Sequence, residues 1–204
     1  METALQNHTD QFFVLTGGPG SGKTTLIEAL AAKGYATAPE AGRSIIQDQM
    51  TVGGSALPWN DRTLFAELML AWELRSHHTA ARLSGPVFFD RGVPDTLAYL
   101  SLSGLPVPAH MEKAAGHFRY NRRVFIAPPW PEIFTQDAER SQDLDEAERT
   151  FEALVDTYPR YGYELITLPR TSVEERLAFI IEELDSQNDP LGKGRARPAP
   201  DTAG

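Results

Sequence analysis

The sequence predicts an α/β fold: a five-stranded parallel sheet with helices packed on both faces. Three observations predict it. Five short apolar runs alternate with segments of helical composition, the pattern of a sheet built from strand–helix–strand units. The first run passes through a glycine-rich loop directly into a helix. The third, Val87-Phe88-Phe89-Asp90, is apolar until it closes on a carboxylate, as a central strand buried on both faces does at its carboxyl end. The 204 residues are enough for one domain with a full core. That domain is expected over residues 11–184, between a polar N-terminus (1–10) and a disordered tail (185–204).

In chain order, Phe12-Phe13-Val14-Leu15 is the first strand, and Thr25 to Ala32 are good helix formers ended by Lys33-Gly34. Tyr35-Ala36-Thr37-Ala38 is a weak second strand, and Ser44 to Gln49 read as helical. Residues 51–60 contain Gly53-Gly54, Pro58 and Trp59 and read as a loop. Asn60 or Asp61 caps the next helix, where Leu64, Phe65, Leu68, Met69 and Trp72 make an apolar stripe. His77 and His78, adjacent and pointing different ways, read as surface or helix-end residues. Thr96 to Leu100 read as helix and residues 103–108 as loop. Arg119, Arg122 and Arg123 precede the fourth strand, Val124 to Ala127, and read as surface charges at the far edge of the sheet. Residues 137–149 are dense in charge, and a helix runs from Phe151 to about Tyr158. Leu165 to Leu168 is the last strand. Ser172-Val173-Glu174-Glu175 is a capping box ahead of a stripe of Val173, Leu177, Ile180, Ile181 and Leu184.

Composition narrows the partners. A formal net charge of -9 argues against a nucleic-acid duplex or an anionic membrane. The absence of cysteine excludes disulfides and Cys-ligated metal, which fits a reducing cytoplasm. No signal-peptide pattern and no membrane-length apolar run is present.

Gly17-Gly18-Pro19-Gly20-Ser21-Gly22-Lys23-Thr24 fits G-x-x-x-x-G-K-[ST], the phosphate-binding P-loop. Glycines let several backbone N–H groups turn inward, and the helix that follows points its positive end at the anion. Lys23 is expected on the β- and γ-phosphates and Thr24 on Mg²⁺. In a parallel sheet the ligand sits at the carboxyl ends of the strands, and Glu40, Asp90-Arg91 and Pro169-Arg170 fall at such ends. Asp90 fits an acid that holds Mg²⁺ or accepts a substrate proton, and Arg91 a phosphate clamp. Glu40 and Arg43 either face the acceptor together or pair with each other on a helix surface. Arg140, with Arg149 behind it, is the expected mobile arginine for phosphoryl charge. Trp59 and Phe65 are either acceptor walls or anchors of core and loop.

Together Phe13 to Thr25, Pro39-Glu40-Ala41-Gly42-Arg43, Phe89-Asp90-Arg91-Gly92-Val93-Pro94-Asp95, Asp137-Ala138-Glu139-Arg140 and Tyr161-Gly162-Tyr163-Glu164-Leu165 resemble the AAA-labelled, kinase-like P-loop ATPases. These are similar in turn to nucleoside and nucleotide kinases. The resemblance spans roughly residues 11–184. It implies a three-layer P-loop NTPase fold with sheet order 2-3-1-4-5, a nucleotide on residues 17–25, a lid carrying Arg140, and Pro169-Arg170-Thr171 near the adenine. The function expected is a small-molecule kinase that transfers the γ-phosphoryl of MgATP to a nucleoside- or nucleotide-like or other metabolite acceptor, with Lys23, Glu40, Asp90, Arg91 and Arg140 as catalytic groups. Glu40, Arg43, Trp59 and Asp95 are the expected acceptor contacts. The alternative is an ATPase or nucleotide-dependent switch, and a homodimer is compatible with either.

Overall fold

The structure is a computed structural model that describes residues 9–133 and 144–188. Five strands, β1 (Phe12–Gly17), β2 (Ala36–Ala38), β3 (Val87–Asp90), β4 (Arg123–Ala127) and β5 (Glu164–Thr167), form one parallel sheet in the order β2-β3-β1-β4-β5. In register, Leu15 of β1 lies beside Asp90 of β3, and Gly17 lies beside Ala127 of β4. The carboxyl ends of β1 and β4 are therefore level, and β3 ends at Asp90 two residues short of them.

Alternation along the strands splits the core in two. Phe12, Val14, Val87, Phe89, Val124 and Ile126 face one side. There they meet α3 (Arg62–Ala80), α4 (Val93–Leu102), α5 (Ala109–His117) and α6 (Leu144–Arg160). Phe13, Leu15, Phe88, Phe125 and Ala127 face the other side, against α1 (Lys23–Ala32) and α7 (Val173–Asn188). Each buried phenylalanine stabilises the fold by about 1.5–3 kcal/mol. A smaller cluster packs α2 (Ala41–Val52) on Phe65 of α3.

Several local expectations change. The segment 51–60 is not all loop: α2 runs through Val52 and stops where Gly53 turns left-handed at φ 69. The buried face of α3 is Phe65, Ala66, Leu70, Glu73, His77 and Ala80, so Leu64 of the expected stripe stands exposed. His77 is not a surface residue. It is 1% exposed, its ring meets Phe12 edge-on at 4.9 Å, and its Nε2 donates to the Arg119 carbonyl at 2.9 Å. Helix α5 arises where no apolar period marked one, burying only Met111, Ala114 and Ala115.

Among the three arginines before β4, only Arg122 is a plain surface charge. Arg119 lies 4.1 Å over the Tyr163 ring and donates to the Tyr161 carbonyl, and Arg123 opens β4 and pairs with Glu183. The capping box is half formed. Ser172 Oγ accepts from Glu175 N at 3.3 Å, while the Glu175 carboxylate takes the Thr171 hydroxyl instead.

Candidate active site

The phosphate loop is shaped by contacts from behind. A Cβ on Gly17 (φ 139) would stand 2.4 Å from the Ala127 carbonyl oxygen, and one on Gly18 2.5 Å from that of Ala147. β4 and α6 thus press directly on bare loop backbone, which only glycine permits. Gly22 (φ 77) precedes α1 and supplies no side-chain cap, so no N-cap side chain occupies the first-turn N–H groups, which suit an anion. Lys23 is folded over the loop: its Nζ donates to the Gly18 carbonyl at 2.7 Å and to Ser21 Oγ at 3.2 Å. Burial, aided by the Arg91 charge, brings its pKa down to about 7 against the opposing pull of Asp90, Glu40 and Asp95. Thr24 and Thr25 are exposed on the first turn of α1.

Opposite the loop, at the end of β3, lies a network of carboxylates around one guanidinium. Arg91 has φ 78, the only positive φ at a non-glycine among the described residues, a conformation that costs about 1–2 kcal/mol. Its N–H donates to the Leu15 carbonyl at 2.9 Å, which holds the turn against β1. Its side chain reaches Glu40 Oε1 through Nε and Asp95 Oδ1 through a terminal nitrogen, both at 3.2 Å. Burial would lower the Arg91 pKa, but Glu40, Asp95 and Asp90 more than offset that and keep it charged.

Asp95 accepts four hydrogen bonds. The Thr16 hydroxyl and Arg91 reach Oδ1, while the Gly92 N–H and the Tyr158 hydroxyl reach Oδ2, the two hydroxyls at 2.5 Å each. Strand β1, helices α4 and α6 and the turn after β3 are joined at this carboxylate. Asp90 is buried, and its Oδ1 has no hydrogen-bond partner among the described residues. Burial raises its pKa against the opposing pull of Lys23, with Glu40 adding to the rise. Nearby Glu73 is raised well above the carboxylate range by burial, with Asp95 and Asp90 adding to it.

One residue at the loop was missed in the sequence. Arg176 of α7 is 2% exposed and donates to the Ser21 carbonyl at 3.2 Å, with its guanidinium 5.9 Å above the Trp130 ring. Among the described residues its Nε has no partner, and burial lowers its pKa. A charged residue on the apolar stripe that carries Leu177 and Ile180 was the available signal.

A family model described as an AAA domain matches residues 12–176, from the start of β1 to Arg176. The chain belongs to this AAA domain family. No curated protein matches the sequence. Solved structures do. A deoxyadenosine kinase from M. mycoides, with products dCMP and a flexible dCDP bound, superposes with TM-score 0.65 at 14% identity over 86% of this chain and 99% of that one. The NadR protein in complex with NR gives TM-score 0.67 at 17% identity, over 94% of this chain but 54% of that chain. A thymidylate kinase from Ehrlichia chaffeensis gives 0.59 at 16% identity, over 85% of this chain and 98% of that one. At these identities the likeness shows a common fold: this AAA domain has the architecture of P-loop nucleoside and nucleotide kinases.

Within this AAA domain, the structure brings Lys23, Glu40, Asp90, Arg91 and Asp95 into one electrostatic cluster. Asp95 is filled by internal partners. Trp59 is 58% exposed, Arg43 and Arg170 are exposed, and Phe65 lies in the core against Tyr99. Arg149 is exposed, with its Nε on its own helix at the Asp145 carbonyl. Arg140 and the rest of 137–140 lie outside the described residues. No group of three or more His, Cys, Asp or Glu side chains suited to a metal occurs among the described residues. Mg²⁺ does not need one, since it keeps waters and substrate oxygens and takes one or two protein ligands. The unpartnered Asp90 Oδ1 and the exposed Thr24 hydroxyl fit that role. No described helix is long and apolar enough to cross a membrane.

Proposed function

We propose that the protein is an ATP-dependent phosphotransferase acting on a small-molecule acceptor. Residues 17–25 hold the triphosphate, with Lys23 turning from the Gly18 carbonyl to the phosphates. Thr24 and Asp90 hold Mg²⁺, which neutralises phosphate charge when bound. The acceptor lies between Glu40, Asp90 and Arg91, and Asp90 and Glu40 are the carboxylates available for its proton. A loose phosphoryl-transfer transition state needs positioning and fixed charge more than a strong base, which suits a rigid network. The observation that carries this reading is the buried Asp90 Oδ1, unpartnered among the described residues, beside a clamped Arg91 and within electrostatic reach of Lys23. Plain nucleotide binding needs neither group.

The test is incubation with γ-labelled ATP, Mg²⁺ and a metabolite mixture, following free phosphate and new phosphorylated species together. A phosphorylated metabolite supports the kinase. Free phosphate alone makes the protein an ATPase and sinks the acceptor reading. Lys23→Ala should abolish turnover while the thermal melt stays cooperative, and retained turnover would overturn the assignment of the loop.

A further inference from the structure

On the acceptor side of the site, three carboxylates surround one guanidinium that is already shared. Arg91 directs Nε to Glu40 and a terminal nitrogen to Asp95, its side chain is only 16% exposed, and its backbone is fixed at φ 78 against β1. Asp90 adds a third carboxylate with an oxygen in need of a donor. Lys23 lies across the phosphate loop on the Gly18 carbonyl and belongs to the nucleotide. Arg91 already gives Nε to Glu40 and a terminal nitrogen to Asp95, so an acceptor phosphate would compete with two carboxylates for its charge. A second phosphate would also enter a field of net negative charge.

We infer that the acceptor is a hydroxyl compound without a phosphate, neutral or cationic where it enters the site, as a nucleoside or other riboside is. This rests on the kinase reading above and narrows it. Glu40 accepts a hydrogen bond from an acceptor hydroxyl, which a carboxylate does well and a phosphate dianion cannot reciprocate. In the transfer, the acceptor oxygen forms a bond to the γ-phosphorus. The bond from that phosphorus to the β,γ-bridging oxygen breaks, and ADP leaves with the electron pair. The acceptor proton passes to a carboxylate of the site and then to solvent.

A unit charge about 8 Å away, at an effective dielectric of about 20, changes an affinity roughly 30-fold. The excess carboxylate charge therefore disfavours a monophosphate by at least that factor against its parent hydroxyl compound. The first test uses the full chain, γ-labelled ATP and Mg²⁺ with a deproteinised metabolite extract divided on an anion exchanger. Label should enter a product from the unretained fraction. Acceptor activity confined to the retained, anionic fraction would overturn the inference and leave the kinase reading standing. Release of free phosphate with no labelled product from either fraction would instead remove the kinase reading, and the inference with it.

The second test compares nucleosides with their own 5′-monophosphates, as substrates and as calorimetric ligands of protein loaded with a non-hydrolysable ATP analogue. The hydroxyl member of each pair should win by roughly 30-fold or more, and equal affinity refutes the inference. Glu40→Gln removes one charge, so the gap should shrink at least tenfold, with affinity for the monophosphate rising. A gap unchanged in that variant would show that the network charge does not set the preference.

Discussion

Raising the pH should loosen nucleotide binding, and Lys23 sets the size of the effect. Burial and the Arg91 charge bring its pKa down to about 7 in the free protein. It is thus about half protonated at pH 7 and about 1% protonated at pH 9. Phosphates beside Nζ favour the ammonium and return the pKa toward its ordinary value of about 10.4. The bound state then carries a proton that the free state lacks. Affinity is full below pH 7 and falls as pH rises through it, by roughly 50-fold between pH 7 and pH 9. The assay is calorimetric titration in paired buffers of different ionisation heat. Uptake should be about half a proton at pH 7 and nearly one at pH 9. Titrating ADP without Mg²⁺ isolates the lysine from any proton that a metal displaces from Asp90. Lys23→Arg, always charged, should bind with no such slope. Affinity of the native chain that is flat from pH 7 to pH 9, with no proton uptake, would refute the reasoning.

Other perturbations test the surrounding architecture. Asp95→Asn leaves Arg91 and the two hydroxyls around Oδ1 and Oδ2 poorly matched, and should cost about 3–5 kcal/mol, a fall in Tm on the order of 10 °C by thermal denaturation. A loss under 3 °C would remove Asp95 from the centre of the network. Arg176→Met replaces a buried cation that no carboxylate among the described residues opposes. Its Tm should hold or rise while nucleotide affinity weakens roughly tenfold. A fall in Tm at constant affinity would make Arg176 a packing residue. Gly22→Ala puts a methyl at φ 77 and 2.9 Å from an Arg176 terminal nitrogen. It should destabilise the fold by about 1–2 kcal/mol in denaturant titration and impair nucleotide binding, and a neutral effect on both would contradict the loop geometry.

The sheet and the phosphate loop were legible because their signals are local. A central parallel strand is apolar on both faces, so Val87 to Asp90 announces itself, and the glycine loop has fixed spacing. The sheet order entered through the family resemblance, not through the strands. Helix α3 was found, and Phe65, Leu68, Met69 and Trp72 of its expected stripe do pack on the core, but the stripe was incomplete and included the exposed Leu64. Alanines 66 and 80 and the polar Glu73 and His77 occupy positions that a hydrophobic count skips, while the larger Leu64 lies outside. Helix α5 buries two alanines and a methionine, too little for a visible period. The candidate site divides likewise. Asp90 was visible as a strand-end acid, but the ties of Glu40 to Arg91, Tyr158 to Asp95 and Arg176 to Ser21 span 51, 63 and 155 residues. Pairings of that range are made by topology, and no spacing rule encodes them.

That topology also explains why the network can be rigid. Helix α6 touches the site twice. Near its start the Ala147 carbonyl backs Gly18 of the phosphate loop, and near its end Tyr158 donates to Asp95. Eleven residues separate those contacts, about 16 Å of helix. One stiff element therefore buttresses both the phosphate loop and the clamp that holds Arg91. Thr16, one residue before the loop, closes the circuit by donating to the same Asp95. A shift of α6 along its axis strains the loop and the clamp together, so their spacing is held by packing. Phosphoryl transfer depends on fixed charge at fixed distance. The strained Arg91 backbone persists because Leu15, Glu40 and Asp95 determine its place from three sides.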